Sequence, residues 1–361
     1  MRILHITGYD SKKYGGLEQF FVSLVSTSKE DHICFLYEKK PRSLRFVNDL
    51  LGCNGSCFVI ESLYSVRGFY KFIKFYRQFS PDVVCFHFNR TYIPLVWFLG
   101  NTKIVCFRHS CFTLDNTIID SRLKLPLKYR LRESLFNCFI VTNICVSQYV
   151  KKQYESLFGV NNNYVYLYLG VQPPKISNLN IREQLCIAKD TTVISVICFA
   201  SPIKGLDLFL DAIKGLSESL DFKILIIGMD EKSGYTQMLK ENVANNLVKK
   251  IEWIGIVDNI SDYLSKTDIY VQPSRSEALS LAACEALSYG VPVIANNVGG
   301  LPEVASLLYS NSKELVEILH KLINDVSYRN TLGIAAYERY KLNFKMEKGV
   351  KKLRDIIVSL L

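Results

Sequence analysis

No apolar run in this 361-residue sequence approaches the about eighteen residues needed to cross a bilayer. The longest candidate, Ile93 to Leu99, is interrupted by Pro94 and ends at Gly100, so the chain reads as one that does not span a membrane. The opening stretch Met1 to Thr7 is too short for a signal-peptide core and reads as a first β-strand. There are eleven cysteines but no close pairing motif; the nearest two, Cys53 and Cys57, have no second pair to complete a zinc site. Cys34, Cys85, Cys106, Cys145 and Cys198 fall inside apolar strands and read as reduced core thiols, which points to a cytoplasmic setting. The sequence has no aspartate-rich metal motif, no low-complexity tract and no short repeat. No Gly-x-Gly-x-x-Gly follows a strand, which argues against a nicotinamide oxidoreductase.

What is present fits a globular protein of two domains: 361 residues, 49% hydrophobic and 22% charged. The net charge of +10 is one-sided. Residues 1–170 carry 22 Lys and Arg against 12 Asp and Glu, whereas residues 171–361 carry 22 of each. A field confined to one half points to an acidic partner there.

Short β-branched and aromatic runs alternate with amphipathic segments. Ile3–Thr7, Ile33–Tyr37, Phe58–Ile60, Val83–His87 and Ile104–Arg108 read as strands of one parallel sheet. Val193–Phe199, Ile224–Ile227, Ile251–Ile254, Ile269–Val271 and Val293–Ala295 read as strands of a second. Pro173-Pro174 and the polar residues after it break the alternation between them. The expected fold is therefore α/β, with two Rossmann-like doubly wound domains facing a cleft. The boundaries read as 1–172, a linker over 173–190, a second domain over 191–338 and a terminal helical segment over 339–361. Val350, Leu353, Ile356, Ile357 and Leu360 mark one face of that last helix.

Ligands of such sheets sit beyond the carboxyl ends of the strands, which directs attention to three loops. The first strand ends at Gly8 and leads to Gly15-Gly16-Leu17-Glu18, where glycines let backbone amides approach a phosphate; a plain turn reads equally well. Ser201-Pro202-Ile203-Lys204-Gly205 follows a strand and opens a helix near Leu206. A lysine there reaches a diphosphate at about 1.5–3 kcal/mol per charge-assisted bond. The densest stretch runs from Val271 to Leu287 and on to Gly299-Gly300-Leu301-Pro302-Glu303. A helix beginning near Ala278 offers its first amides, Ala278 to Leu281, to a phosphate. Glu277 and Glu285 are then placed to accept from sugar diols, although capping and a solvated face account for the spacing as well.

These motifs together resemble the retaining glycosyltransferases of the GT-B fold (glycosyltransferase family 4, glycosyl transferases group 1). The resemblance covers nearly the whole chain: Gly15-Gly16-Leu17-Glu18, Lys204-Gly205, the pair Glu277 and Glu285, and Gly299 to Glu303, with weaker matches at Cys145-Val146-Ser147 and Leu169-Gly170-Val171. It implies a hexosyltransferase that takes a nucleotide-sugar donor, a UDP-sugar first among them, as co-substrate, with no cofactor and no metal. His109, Lys204 and Glu277 are its implied catalytic residues. Gly15, Gly16, Ser201, Lys204, Leu279, Ser280, Leu281 and Glu285 are its implied donor-binding residues, with Lys204 on the leaving diphosphate, Glu277 on the sugar and Glu285 on the ribose. Anomeric configuration is retained, with leaving-group stabilisation as the main lever. The terminal helix crosses back to the first domain in this fold.

Two departures stand out. Many members carry an Arg five positions before the Lys; here it is Phe199, with Arg275 or Ser201 as candidate substitutes. Leu169 and Gln172 replace the polar residues usual at the domain junction. The basic first half implies a glycan or polyprenyl-linked acceptor, as in surface polysaccharide synthesis, and contact with an anionic membrane face through Arg67–Arg77 and Arg122–Arg132. Helix aromatics turned to the core, with cations in water, are the competing reading. Nucleic acid is not an expected partner, since no binding motif accompanies the charge. The rival to an enzyme is a catalytically silent member that acts as a binding subunit, for which Phe199 is the hint.

Overall fold

A computed structural model describes residues 1–8, 14–61, 63, 65–88, 93–114, 117–119, 125–160, 163–175, 177, 179–216 and 219–361. The chain forms two compact units, Met1–Gly170 with Met346–Leu361, and Val171–Lys345.

In the first unit the strands are β1 (Arg2–Thr7), β2 (His32–Tyr37), β3 (Ser56–Val59), β4 (Val83–His87), β5 (Lys103–Arg108), the short hairpin β6 (Thr113–Leu114) and β7 (Thr117–Ile118), β8 (Thr142–Cys145) and β9 (Tyr164–Tyr166). All but the hairpin join one parallel sheet in the order β3-β2-β1-β4-β5-β8-β9. The helices are α1 (Gly16–Thr27), α2 (Leu44–Gly52), α3 (Val66–Phe79), α4 (Ile93–Phe98), α5 (Leu127–Asn137) and α6 (Gln148–Phe158). Serines set several starts: Ser65 accepts from the Gly68 amide at 3.0 Å to begin α3, and Ser147 from Val150 at 3.2 Å to begin α6. Helices cover both faces of the sheet, which is why β1, β2 and β4 are buried almost from end to end.

The second unit holds α7 (Ile181–Gln184), α8 (Leu206–Ala212), α9 (Gly234–Glu241), α10 (Asn245–Val248), α11 (Ser261–Leu264), α12 (Leu281–Ser288), α13 (Ser312–Asn324) and α14 (Val326–Arg339). Its parallel sheet joins β10 (Thr192–Ile197), β11 (Phe222–Ile227), β12 (Ile251–Gly255), β13 (Ile269–Gln272), β14 (Val293–Asn296) and β15 (Leu307–Tyr309) in the order β12-β11-β10-β13-β14-β15. Ile181 and Ile187, within the stretch read as a linker, are buried in a small cluster with Val193, Leu225 and Ile227 of this unit.

The final helix, α15 (Met346–Ser359), belongs to the first unit. Met346, Val350, Leu353 and Ile357 form its buried face, while Ile356 and Leu360 stay partly exposed. Gly349 lies so close to the carbonyls of Tyr168 and Leu169 that no side chain fits, and Arg354 pairs with Asp31 at 3.2 Å.

The strand orders make the site predictable in position. Each sheet reverses direction beside its first strand, between β1 and β4 and between β10 and β13, and the crevice at such a reversal is where open α/β sheets take ligands.

Candidate functional site

In the second unit the loops that leave β10 and β13 meet at that reversal. After β10 the chain makes a tight 3-10 turn over Pro202–Lys204, opened by Ser201, whose carbonyl accepts from the Lys204 amide at 3.0 Å. Gly205 then takes a left-handed conformation, φ 66°, and packs against the Pro273 carbonyl with no room for a methyl group. The Arg275 amide donates to the Ile203 carbonyl at 2.8 Å, so the two loops are joined through their backbones. This contact carries Lys204 to Glu277, with Nζ 2.7 Å from Oε2 and both side chains largely buried.

Glu277 is held from beneath and from behind. The Tyr270 hydroxyl donates to Gln272 Oε1 at 2.6 Å, Gln272 Nε2 donates to Ser274 Oγ at 2.8 Å, and Ser274 Oγ donates to Glu277 Oε2 at 3.3 Å. Behind it, Gly299 adopts φ 58° and a Cβ there would collide with the Glu277 carbonyl oxygen, while the Gly300 amide donates to that oxygen at 2.9 Å. The diglycine thus fixes the backbone that presents the carboxylate.

Helix α12 begins at Leu281, three residues later than the sequence suggests. The reason is Ser280, which caps it: its Oγ accepts from the Ala283 amide at 3.2 Å and donates to Gln272 Oε1 at 2.7 Å. Ala278 and Leu279 therefore lie in the loop, and the helix-end amides offered to an anion start at Leu281 and Ala282. Glu277 and Glu285 do not share a helix face: Glu277 lies in the loop and Glu285 is the fifth helical residue.

Arg275 does not stand in for the missing cation. It is tied to Asp207 by two bonds of 2.7 Å and to the Pro202 carbonyl at 2.6 Å, and its guanidinium holds the Asp207 carboxyl below its usual range. Phe199 itself is half exposed and lies under the Lys204 ammonium, 5.0 Å from ring centre to Nζ.

The remaining sequence candidates, Gly15, Gly16 and His109, lie in the first unit, at loops beyond the carboxyl ends of β1 and β5. Gly15 precedes α1 and donates its amide to Glu18 Oε2 at 3.0 Å, so the glutamate of this motif closes the helix start. His109 is half-buried and stacks on Phe88 at 4.2 Å.

His109 is also one end of a chain that sequence reading missed. His5 Nδ1 lies 2.9 Å from His87 Nε2, and His87 Nδ1 lies 2.9 Å from His109 Nε2. Burial pushes His5 and His109 down to about 3 and His87 well below the usual histidine range, so all three are neutral at pH 7. The sequence places each histidine only in or just after a strand; the register of β1, β4 and β5 is what brings His5, His87 and His109 onto one face of the sheet.

On the other face of β5, Arg108 forms a buried ion pair with Glu133 of α5, also donating to Asn143 Oδ1 at 3.0 Å and lying 4.8 Å over the Tyr154 ring. The basic segments differ from each other. Phe69, Phe72, Phe75, Tyr76 and Phe79 of α3 pack into the core, which leaves Val66, Tyr70 and the cations Arg67, Lys71, Lys74 and Arg77 outside. On α5, Leu127, Leu131 and Leu135 form an exposed row, with Leu131 62% accessible, beside exposed Lys128 and Arg132. Arg122 and Lys124 lie outside the described residues. No helix among the described residues is long and apolar enough to cross a membrane.

Two parallel sheets, each with its reversal and loops of this kind, define the GT-B architecture. Residues 191–325 match the family model "Glycosyl transferases group 1" and residues 55–173 match "Glycosyltransferase Family 4". The chain belongs to the GT-B glycosyltransferases. Among curated proteins it is 32% identical over 249 residues to an uncharacterised glycosyltransferase of Methanocaldococcus jannaschii, covering 65% of this chain and 66% of that one. It is 25% identical to the GDP-mannose-dependent monoacylated alpha-(1-6)-phosphatidylinositol monomannoside mannosyltransferase of Corynebacterium glutamicum, over 59% of this chain and 61% of the relative. The matches thus span about two thirds or less of these relatives' lengths. Among solved structures, Anabaena HepE in complex with UDP superposes with a TM-score of 0.82 at 18% identity, over 99% of this chain and 100% of that one.

Proposed function

We propose that this protein is a retaining glycosyltransferase that moves a hexose-type sugar from a nucleotide-sugar donor to a glycan or polyprenyl-linked acceptor. The observation that carries this reading is the Lys204–Glu277 pair at the reversal of the second sheet, one cation and one carboxylate 2.7 Å apart. Their roles follow from their charges. On donor binding, Lys204 exchanges Glu277 for the diphosphate and stabilises the leaving group, together with the amides of Leu281 and Ala282. Glu277, released from the ion pair but still held by Ser274, accepts from sugar hydroxyls as positive charge develops at the anomeric carbon. Glu285 serves the ribose, and the resemblance assigns donor contacts to His109, Gly15 and Gly16 as well.

A UDP-sugar is the donor this reading favours, with UDP bound to the Anabaena structure in support; the Corynebacterium relative's GDP-mannose makes guanosine the competing base. This reading puts the acceptor at an anionic membrane face. The exposed leucine row of α5 with its flanking cations supports this more than α3, whose aromatics other than Tyr70 are spent on the core. A thermal-shift series with UDP, GDP and their sugars tests the donor. A rise in melting temperature with UDP supports the reading, and no response to any nucleoside diphosphate removes it.

A further inference from the structure

The histidine chain climbs the sheet toward its ligand edge. In register, His5 is opposite Cys85 and His87 is opposite Phe107, so each histidine sits two residues nearer the carboxyl end than its predecessor's partner. His5 and His87 are buried and His109 is half-buried at the edge. Phe35 and Phe21 close in on His5, and Phe107 stacks on His87 at 4.2 Å.

Between two neutral imidazoles, a contact of 2.9 Å requires one N–H and one bare nitrogen. Two such contacts in series leave only two proton orders. Either all three rings carry the proton on Nδ1 or all three carry it on Nε2. The orders differ at the buried end, where His5 Nε2 has no partner among the described residues. With protons on Nε2, that position is an orphaned N–H; with protons on Nδ1 it is a bare nitrogen. Orphaned buried donors are the rarer defect in folded proteins.

We propose that His5 and His87 are positioning residues that hold His109 as its Nδ1–H tautomer, so that it presents an N–H donor on the side away from His87. The order runs outward: His5 Nδ1–H donates to His87 Nε2, and His87 Nδ1–H donates to His109 Nε2. His109 then faces a ligand as a donor to oxygen and has no free lone pair with which to take a proton. Applied to the donor sugar, which rests on the function proposed above, His109 binds and orients a hydroxyl or carbonyl oxygen and is not a general base. The tautomer itself does not depend on that reading.

Long-range ¹H–¹⁵N correlation spectra of the full chain, labelled at its histidine rings, read each tautomer directly at pH 7.5. The expected result is a neutral Nδ1–H form at His5, His87 and His109; an Nε2–H form or an imidazolium at His109 overturns the proposal. Two variants test the coupling. The amide of His87→Gln can still donate to His109 Nε2, and His109 is expected to keep the Nδ1–H form. His87→Leu cannot donate, and His109 is expected to show both forms. A His109 that stays wholly Nδ1–H in His87→Leu shows that His87 does not set it and refutes the idea. If neither variant folds, the wild-type spectra decide. Addition of UDP-glucose separates the two readings: expected tautomers with unmoved His109 resonances sink the sugar contact and leave the tautomer standing.

Discussion

Lowering the pH from 7.5 to 5.5 should weaken the first unit selectively. His5 and His87 are buried and neutral, with His5 pushed down to about 3, whereas an unfolded histidine titrates at its ordinary value of 6.5. A group whose folded pKa is depressed gives stability that is complete above the unfolded value and is lost as pH falls below it. For a group that takes up its proton only when unfolded, the change from 7.5 to 5.5 costs about 1.4 kcal/mol. Two such histidines give about 2.7 kcal/mol, roughly a hundredfold more of the open state, with a smaller addition from half-buried His109. Hydrogen exchange followed by mass spectrometry, corrected for intrinsic rates, reads this opening separately for β1 and β4 and for β10 and β11. The second unit is the internal reference, because its one histidine, His320, is exposed. Replacement of His5 by Phe should remove about half of the effect. Equal pH responses in the two units would mean that the histidine chain holds a proton in the folded state and would refute the reasoning.

Three further outcomes follow from particular contacts. Gly299→Ala places a methyl on the Glu277 carbonyl at a left-handed position, so it should cost about 1–3 kcal/mol and weaken nucleotide binding, read by melting temperature and UDP titration. Arg108→Met strands Glu133 in the interior and should cost about 3–5 kcal/mol by urea unfolding, whereas Arg108→Met with Glu133→Leu should recover much of it. Phe199→Arg sets a second cation beside Lys204 and should tighten UDP binding about tenfold, near 1.4 kcal/mol by calorimetry, with the gain shrinking as salt rises.

The sheets were legible because parallel strands buried on both faces write continuous apolar runs, and Val83–His87 and Ile269–Val271 do so plainly. Strands β8, β9 and β15 were harder: they are three or four residues long, and Thr142-Asn143 opens β8 with polar side chains, of which Asn143 serves the Arg108 cluster. The loop after β13 stood out in sequence too, but not the start of its helix. Ala278 and Leu279 are strong helix formers, yet the register is set instead by Ser280, whose hydroxyl is committed to both Ala283 and Gln272. Arg275 could not be assigned from sequence, because its partner Asp207 lies 68 positions away, in the first turn of α8. The histidine chain was hidden for the same reason, since register between β1, β4 and β5 is a property of the fold. On α3 the mixture of cations and aromatics suggested a lipid face, but every aromatic except exposed Tyr70 packs against the core.

The most direct test of the proposed activity is turnover of UDP-glucose, UDP-galactose, UDP-N-acetylglucosamine and GDP-mannose by wild type and by Glu277→Gln, each checked for an unchanged melting temperature. The account predicts that the wild type hydrolyses or transfers at least one of these donors, a uridine sugar first, and that the variant loses about a hundredfold in kcat/KM, near 2.7 kcal/mol of transition-state stabilisation. A wild type that turns over none of them, or a Glu277→Gln variant as active as the wild type, contradicts it.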